Sequence, residues 1–278
     1  MGKDKKSKRF NITLNRLNES TPFSIREAYK SIRTNLLFSL APLGKKTVVI
    51  SSALSNEGKS TTCGNLAITF AQTSAKVLLI DGDLRKPTMH KFFEVDNTKG
   101  LSNLLVGFDS VADSVKRNIV KNLDLITAGA LPPNPSELLG SHNMQIFIQK
   151  MEEYYDYIII DSPPINVVTD AVVLSQHAAG ILMVARSMET TIEELDNALE
   201  SIYTANGNVL GIVVSDVRKE SKSKYYSNYY SSYRKNRYSS YYSREYSQPY
   251  RERKPDAVGP DEVKKFMSAA YLTWTELF

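Results

Sequence analysis

The sequence has a single cysteine, Cys63, and only three histidines among its 278 residues. One thiol cannot form an intrachain disulfide, and the scattered His and Cys side chains have none of the spacings of a zinc site. The longest apolar runs are four or five residues, whereas a helix that crosses a membrane needs about 20. These absences argue against a disulfide scaffold, a zinc module and a membrane-spanning helix, and we therefore expect a cytoplasmic protein.

Positive charge is concentrated in two segments of the chain, although the net charge is only +5. Residues 1–9 carry a net charge of +4, residues 218–254 one of +8 and residues 255–278 one of −2, so the body, residues 10–217, is acidic at −5. Only the two basic segments would attract a polyanion or a membrane surface. For residues 1–9, a solvated tail and weak binding to an anionic surface are equal alternatives.

Between Phe23 and Val217, short apolar runs alternate with amphipathic stretches of helical length. This alternation is typical of an α/β fold with a mostly parallel sheet and helices on both faces. Strands are predicted at Thr47–Ser51, Lys76–Ile80, Leu123–Thr127, Tyr157–Ile160, Ile181–Val184 and Val209–Val214. Helices are predicted at Ile25–Ser39, Ser60–Thr73, Asn143–Tyr154 and Thr190–Tyr203.

The composition changes abruptly at Arg218. Ten of the thirty residues from Ser221 to Tyr250 are tyrosine, and none is aliphatic. A basic segment with no aliphatic side chains to bury is predicted to be a disordered arm. The apolar residues beyond it recur at intervals of three or four and predict a short amphipathic segment. The predicted division is a basic tail (1–22), a globular domain (23–217), the tyrosine arm (218–254) and a C-terminal segment (255–278).

The first predicted strand is followed closely by Gly58-Lys59-Ser60, where a helical pattern begins. In that context the triplet is typical of the end of a P-loop, whose amide groups cradle the phosphates of a nucleotide. Lys59 would reach the β- and γ-phosphates, and Ser60 would ligate Mg²⁺. The pattern is incomplete because Ala53 stands where a P-loop has its first glycine.

Carboxylates follow two other predicted strands. Asp81 and Asp83 come directly after one of them, and Asp161 directly after another. Because the carboxyl ends of parallel strands meet at one edge of a sheet, we expect these side chains to lie beside the P-loop. One aspartate at a strand end is usually a turn or a helix cap, but three beside a P-loop predict a site for Mg²⁺ and a nucleotide.

These motifs, in this order and followed by a tyrosine-rich tail, resemble those of the bacterial tyrosine kinases. Asp81-x-Asp83-x-Arg85 matches the second acidic motif of that family in full, and Asp161-Ser162-Pro163-Pro164 fits the third. The resemblance covers about Phe23 to Tyr250. It implies a P-loop ATPase fold and transfer of the γ-phosphoryl group of ATP to tyrosines of neighbouring subunits, in the regulation of capsule or exopolysaccharide synthesis.

The resemblance also implies a role for individual residues. The catalytic residues would be Lys59, Asp81, Asp83 and Asp161, with Asp81 accepting or orienting the phenol proton. ATP would bind to Glu57, Gly58, Lys59, Ser60 and Thr61, and Mg²⁺ to Ser60, Asp161 and, through water, Asp83. The phosphoacceptors would be Tyr225, Tyr226, Tyr229, Tyr230, Tyr233, Tyr238, Tyr241, Tyr242, Tyr246 and Tyr250.

The resemblance implies protein partners as well. A membrane-bound polysaccharide co-polymerase would activate the kinase through a cytoplasmic tail that completes the nucleotide site, and would recruit it to the inner face of the plasma membrane. A tyrosine phosphatase would reverse the reaction, and no nucleic acid partner is expected. Glu27-x-x-Lys30-x-x-Arg33 is similar to a motif that pairs subunits in a ring, although Lys30 cannot offer the planar fork of an arginine.

Three features depart from the resemblance. Ser55-Asn56 replaces a Pro-Gly pair, although asparagine tolerates a left-handed backbone, and Ser215 stands where related ATPases read adenine with an asparagine. The tyrosine cluster normally ends the chain, whereas here residues 255–278 follow it. A positioning ATPase, like those of division-site selection and plasmid partition, is the main alternative, but Leu54 replaces its additional P-loop lysine. A regulatory ATPase without kinase activity, whose tail is modified by another kinase or binds RNA, is a third reading.

Overall fold

A computed structural model describes residues 16–217 of the chain. The ten tyrosines of the predicted arm, 218–254, and the predicted C-terminal segment, 255–278, lie outside these described residues. Predictions about both segments therefore stay predictions.

A seven-stranded sheet, in the order β3-β4-β2-β5-β1-β6-β7, forms the centre of the described residues. All neighbouring strands run parallel except β3, which runs antiparallel to β4. The strands are β1 (Thr47–Ser52), β2 (Val77–Asp81), β3 (Val115–Val120), β4 (Leu123–Ile126), β5 (Tyr157–Asp161), β6 (Gly180–Arg186) and β7 (Val209–Ser215). The predicted α/β class with a mostly parallel sheet is confirmed.

Helices cover both faces of the sheet. Successive side chains of a strand point to opposite faces, so each face has an apolar core that helices cover. One core contains Val48 and Ile50 of β1 with residues of α1, α2 and α3, and the other contains Val49 with residues of α4, α7, α8 and α9. The helices are α1 (Phe23–Leu40), α2 (Lys59–Ala71), α3 (Met89–Phe93), α4 (Leu101–Leu105), α5 (Val111–Ser114), α6 (Pro135–Leu139), α7 (His142–Tyr154), α8 (Asp170–Ser175) and α9 (Ile192–Thr204). Among the residues described, no helix is both long and apolar enough to span a bilayer.

The elements that the sequence did not predict are short or polar. Strand β3 contains Lys116, Arg117 and Asn118 and lies at the edge of the sheet, so it lacks the apolar pattern of the central strands. Helices α3, α4, α5, α6 and α8 have at most six residues, which is too short for a 3.6-residue period to be visible. The helical spacing of Ile192, Leu195, Leu199 and Ile202 predicts one apolar face of α9, and the last three are buried there, whereas Ile192 is 40% exposed.

The packed structure also begins before residue 23. Leu17, in the segment predicted as a basic tail, is buried in the same core as Leu36 and Leu40 of α1. Its backbone N–H donates to Asn65 Oδ1 of α2 at 2.8 Å. Residues just before α1 therefore contribute to the core and contact α2 directly.

Candidate nucleotide-binding site

The order of the strands brings the predicted site residues together. Strand β5 lies between β2 and β1, so Asp161 is paired in register with Asp81 on one side and with Ile50 on the other. The chain leaves β1 at the same edge, forms the loop of residues 53–58 and enters α2 at Lys59. The carboxylates and the P-loop thus meet at the carboxyl edge of the sheet, as predicted.

Lys59 lies between two of the carboxylates. Its Nζ is 3.2 Å from Asp83 Oδ2 and 3.7 Å from Asp161 Oδ1, and it also donates to Ser60 Oγ at 3.1 Å. Burial alone would lower the pKa of Lys59, but the nearby charges of Asp161 and Asp83 outweigh it and raise the pKa. The lysine is therefore held as a cation at the first turn of α2.

Asp81 and Asp161 are completely buried, and each has one oxygen without a hydrogen-bond donor among the described residues. Asp81 Oδ2 accepts from the backbone N–H groups of Thr88 and Met89, at 3.0 and 2.9 Å, whereas Oδ1 has no donor. Asp161 Oδ2 accepts from Thr88 Oγ1 at 3.3 Å. Burial raises the pKa of Asp81 to about 8 and also raises the pKa of Asp161. Two carboxylate oxygens in such a place fit a divalent cation.

The P-loop has the backbone geometry of an anion-binding loop. Asn56 and Gly58 have φ values of +69° and +91°, and alternating left- and right-handed residues turn successive N–H groups to one side. Asn56 thus adopts the left-handed conformation that asparagine tolerates better than most residues. Glu57 is buried, and its carboxylate accepts from Leu54 N and Thr190 Oγ1, so this side chain braces the loop from within the protein.

The other predicted ligands lie at the start of α2 as expected. Ser60 and Thr61 are half-buried in the first turn of the helix, directly after Lys59. The hydroxyl of Ser60 also forms a hydrogen bond to Asp161 that lowers the pKa of that carboxyl group. Ser60 is therefore within reach of an ion held by Asp161.

Three residues of the site were not assigned a role by sequence reasoning. Thr88 touches both Asp81 and Asp161, and no sequence pattern marks it. Arg85 of the acidic motif does not face the carboxylates of that motif but binds Asp170 of α8 through Nε at 2.9 Å and Nη2 at 3.1 Å. Arg85 therefore ties the loop after β2 to α8.

Gly82 is the third residue of the site to which the sequence assigned no role. It lies directly after β2, and its lack of a side chain allows the end of β2 to lie close to the end of β5, where the carboxylates are. Its N–H donates to Asp161 O at 2.8 Å, and a Cβ added to it would lie 2.8 Å from that oxygen and 2.9 Å from Ile160 Cγ2. We expect Gly82→Ala to lower the free energy of unfolding by about 1–3 kcal/mol and to reduce catalytic activity, because Asp81 and Asp83 move away from Asp161. Thermal melts and phosphotyrosine assays measure the two effects.

Gly107→Ala is the matched control for this change. Gly107 has a φ of +82°, but an added methyl group there meets nothing within 4 Å. That variant loses stability through backbone strain and keeps its activity. Unchanged stability and activity in Gly82→Ala would contradict the close approach that we assign to Gly82.

The predicted subunit-pairing residues lie on α1 and already have partners within the chain. Lys30 Nζ is 2.7 Å from Glu27 Oε1, and the side chains of Lys30 and Glu27 are 48% and 37% exposed. Arg33 Nη1 donates to Thr69 O of α2 at 2.7 Å. Of the three, Glu27 and Lys30 are the more accessible to another subunit, whereas Arg33 joins two helices of the same domain.

Comparison with known proteins identifies the family. The model of an AAA domain family matches residues 35–209. The chain is 40% identical over 203 residues to the putative tyrosine-protein kinase CapB of Staphylococcus aureus, which covers 73% of this chain and 89% of the relative. It is also 42% identical over 199 residues to the tyrosine-protein kinase YwqD of Bacillus subtilis, which covers 72% and 84%. The chain belongs to the bacterial tyrosine kinases.

The structure of this bacterial tyrosine kinase is also similar to solved ones. The crystal structure of the chimerical protein CapA2B2 matches with a TM-score of 0.69 and 35% identity, over 76% of this chain and 92% of that chain. The predicted family and P-loop NTPase fold are thereby confirmed, and the fold implies that the site beside Lys59 binds a nucleotide. The alternative of a positioning ATPase has less support, because the relatives named above are tyrosine kinases.

Proposed function

We propose that this bacterial tyrosine kinase transfers the γ-phosphoryl group of ATP to tyrosines of its own arm, residues 218–254, between neighbouring copies of the chain. The observation that carries the proposal is the position of Lys59 at the P-loop, 3.2 Å from Asp83 and 3.7 Å from Asp161. A buried cation and carboxylates at one sheet edge are the parts that phosphoryl transfer requires. The relatives of the chain are named as tyrosine kinases.

In this proposal the P-loop and the first turn of α2 bind the phosphates of ATP. The N–H groups of the loop and of the helix start point at the phosphate oxygens. The Lys59 ammonium contacts the β- and γ-phosphates and stabilises the charge that develops during transfer. Glu57 contributes through its backbone, because its carboxylate is bound to Leu54 and Thr190.

The acidic residues fit a magnesium site. Ser60 and Asp161 would hold Mg²⁺, with Asp83 acting through water, and Asp161 Oδ1, which accepts no hydrogen bond from the described part of the chain and lies 3.7 Å from Lys59 Nζ, supports this assignment. Across residues 16–217, no three His, Cys, Asp or Glu side chains form a ready metal cluster. Such a site suits Mg²⁺, which commonly binds one or two carboxylates, substrate phosphates and water. When bound, the ion supplies positive charge that offsets the phosphate charge.

Asp81 is the residue that we assign to the tyrosine hydroxyl. The pKa of a phenol is near 10, so a carboxylate that accepts a hydrogen bond from it helps to expose the nucleophilic oxygen. Asp81 Oδ2 is occupied by the backbone at the start of α3, whereas Oδ1 has no donor. Oδ1 is therefore the atom that would orient the incoming phenol.

Family membership supports a proposal for the cellular setting. We propose that the kinase acts in the cytoplasm, regulates capsular or exopolysaccharide synthesis and assembles into a ring. A membrane-bound polysaccharide co-polymerase would recruit it to the inner face of the plasma membrane and activate it through a cytoplasmic tail. A tyrosine phosphatase would reset it. Glu27 and Lys30, exposed on α1, support a role for that helix in subunit pairing.

Phosphopeptide mass spectrometry of residues 221–250 tests the proposal. The purified full-length chain is incubated with ATP and Mg²⁺, and with Mg²⁺ alone as the control. We expect phosphate on several of the ten tyrosines only when ATP is present. No phosphotyrosine under either condition, even after a candidate activator tail is added, would favour the regulatory ATPase instead.

A further inference from the structure

Two consecutive carbonyl groups of the P-loop are held from outside by the ends of β6 and β7. Arg186 Nη1 donates to Asn56 O at 3.0 Å, and Ser215 Oγ donates to Glu57 O at 2.7 Å. Among the described residues all peptide bonds are trans, so each C=O points away from the N–H of the next residue. Holding these two carbonyls turns the N–H groups of Glu57 and Gly58 away from Arg186 and Ser215.

The direction of these N–H groups matters because a P-loop binds phosphate with its amides. A loop whose carbonyls swing inward would present oxygen atoms to an anion and would repel it. The left-handed φ of Asn56, +69°, costs free energy that surrounding contacts must offset. Arg186 and Ser215 supply such contacts from strands that the sequence places more than a hundred residues away.

Arg186 also binds Asp216, which lies just before the tyrosine arm. Its Nη2 and Nε are 2.9 and 3.3 Å from Asp216 Oδ2, and its side chain is only 18% exposed. Asp216 is two residues before Arg218, the first residue of the predicted arm. One guanidinium group therefore joins the P-loop to the root of the arm. Lysine could not do the same, because it lacks a planar fork of donors.

We propose that Arg186 and Ser215 are positioning residues for the phosphate loop, and that Arg186 couples the loop to the root of the tyrosine arm. The proposal rests on the nucleotide-binding part of the proposed function. It assigns Ser215, which stands at the place of an adenine-reading asparagine, to the phosphates rather than to the base. Because such coupling is reciprocal, nucleotide binding also strengthens the contact between Arg186 and Asp216.

Titration of full-length variants with ATP and with inorganic tripolyphosphate, both with Mg²⁺, tests the positioning role. Ser215→Ala and Arg186→Ala are expected to weaken binding of both ligands by about 3- to 10-fold, the range of one lost hydrogen bond. Arg186→Lys is expected to fall between Arg186→Ala and the natural chain. Ser201→Ala and Arg117→Ala are matched controls, since both side chains are exposed and distant from the loop.

Two results would overturn the positioning role. If the Ser215→Ala and Arg186→Ala variants bind both ligands as tightly as the control variants do, the positioning role is wrong. If Ser215→Ala weakens the binding of ATP but not of tripolyphosphate, Ser215 contacts the base instead. The titrations do not depend on phosphate transfer. A natural chain that binds both ligands but makes no phosphotyrosine would therefore contradict the kinase proposal and leave this one standing.

Hydrogen exchange at the end of β7 tests the coupling to the arm. ATP is expected to slow the exchange of backbone amides near Ser215 in the natural chain, and less so in Asp216→Ala. Asp216 is 46% exposed in its side chain, so this variant is expected to fold. Equal protection by ATP in both chains would contradict the coupling.

Discussion

Lys59→Ala is expected to reduce phosphotyrosine formation in the arm by about 100-fold or more. The lysine is the buried cation at the P-loop, and it is within 3.7 Å of two acidic side chains. Removing it leaves the γ-phosphoryl charge without its nearest positive partner and leaves Asp83 and Asp161 without theirs. Initial rates of phosphotyrosine formation, followed by phosphopeptide mass spectrometry, measure the loss.

Two further variants make the result interpretable. Lys150→Ala removes an exposed lysine of α7 and is expected to behave like the natural chain. Lys59→Arg keeps the charge but not the compact ammonium group, so we expect intermediate activity. Thermal melts of all variants separate loss of chemistry from loss of fold. A folded Lys59→Ala chain with natural rates would show that the phosphotyrosine comes from another kinase.

Two variants that form no phosphotyrosine when each is incubated alone are expected to form it when they are mixed, if transfer occurs between copies of the chain. The first chain is Lys59→Ala with its tyrosines intact, and the second is active but has all ten arm tyrosines replaced by phenylalanine. Arg186 holds Asp216 beside the P-loop, so tyrosines near the start of the arm would have to close a short loop to enter their own site, and closing short loops is costly. The arm of a neighbouring copy has no such constraint.

Each chain alone is the control for this mixture, and mass spectrometry assigns the phosphate to the Lys59→Ala arm. The rate per chain in the natural protein is also expected to increase with protein concentration. If the mixture forms no more phosphotyrosine than either variant alone, and if the rate per chain in the natural protein does not depend on its concentration, transfer occurs within one chain.

Much of the site could be predicted because its residues are defined by local patterns. Gly58-Lys59-Ser60 begins a helix after an apolar strand, and Asp161 ends another apolar strand. The carboxyl ends of parallel strands share one edge, so a common location at that edge followed from the predicted strands, whereas which strands are neighbours depends on strand order. Strand β3 could not be predicted in the same way, because its exposed edge position requires no apolar period.

The sequence by itself determined the α/β class, the P-loop, the three aspartates and the family, since each depends on a local pattern of residues. Only the tertiary structure decided that Arg85 binds Asp170, that Thr88 joins two carboxylates, and that Arg186 and Ser215 hold the P-loop. Such contacts join elements far apart in the chain. They depend on strand order and side-chain packing, and no period or motif in one segment encodes which distant segment will lie beside it.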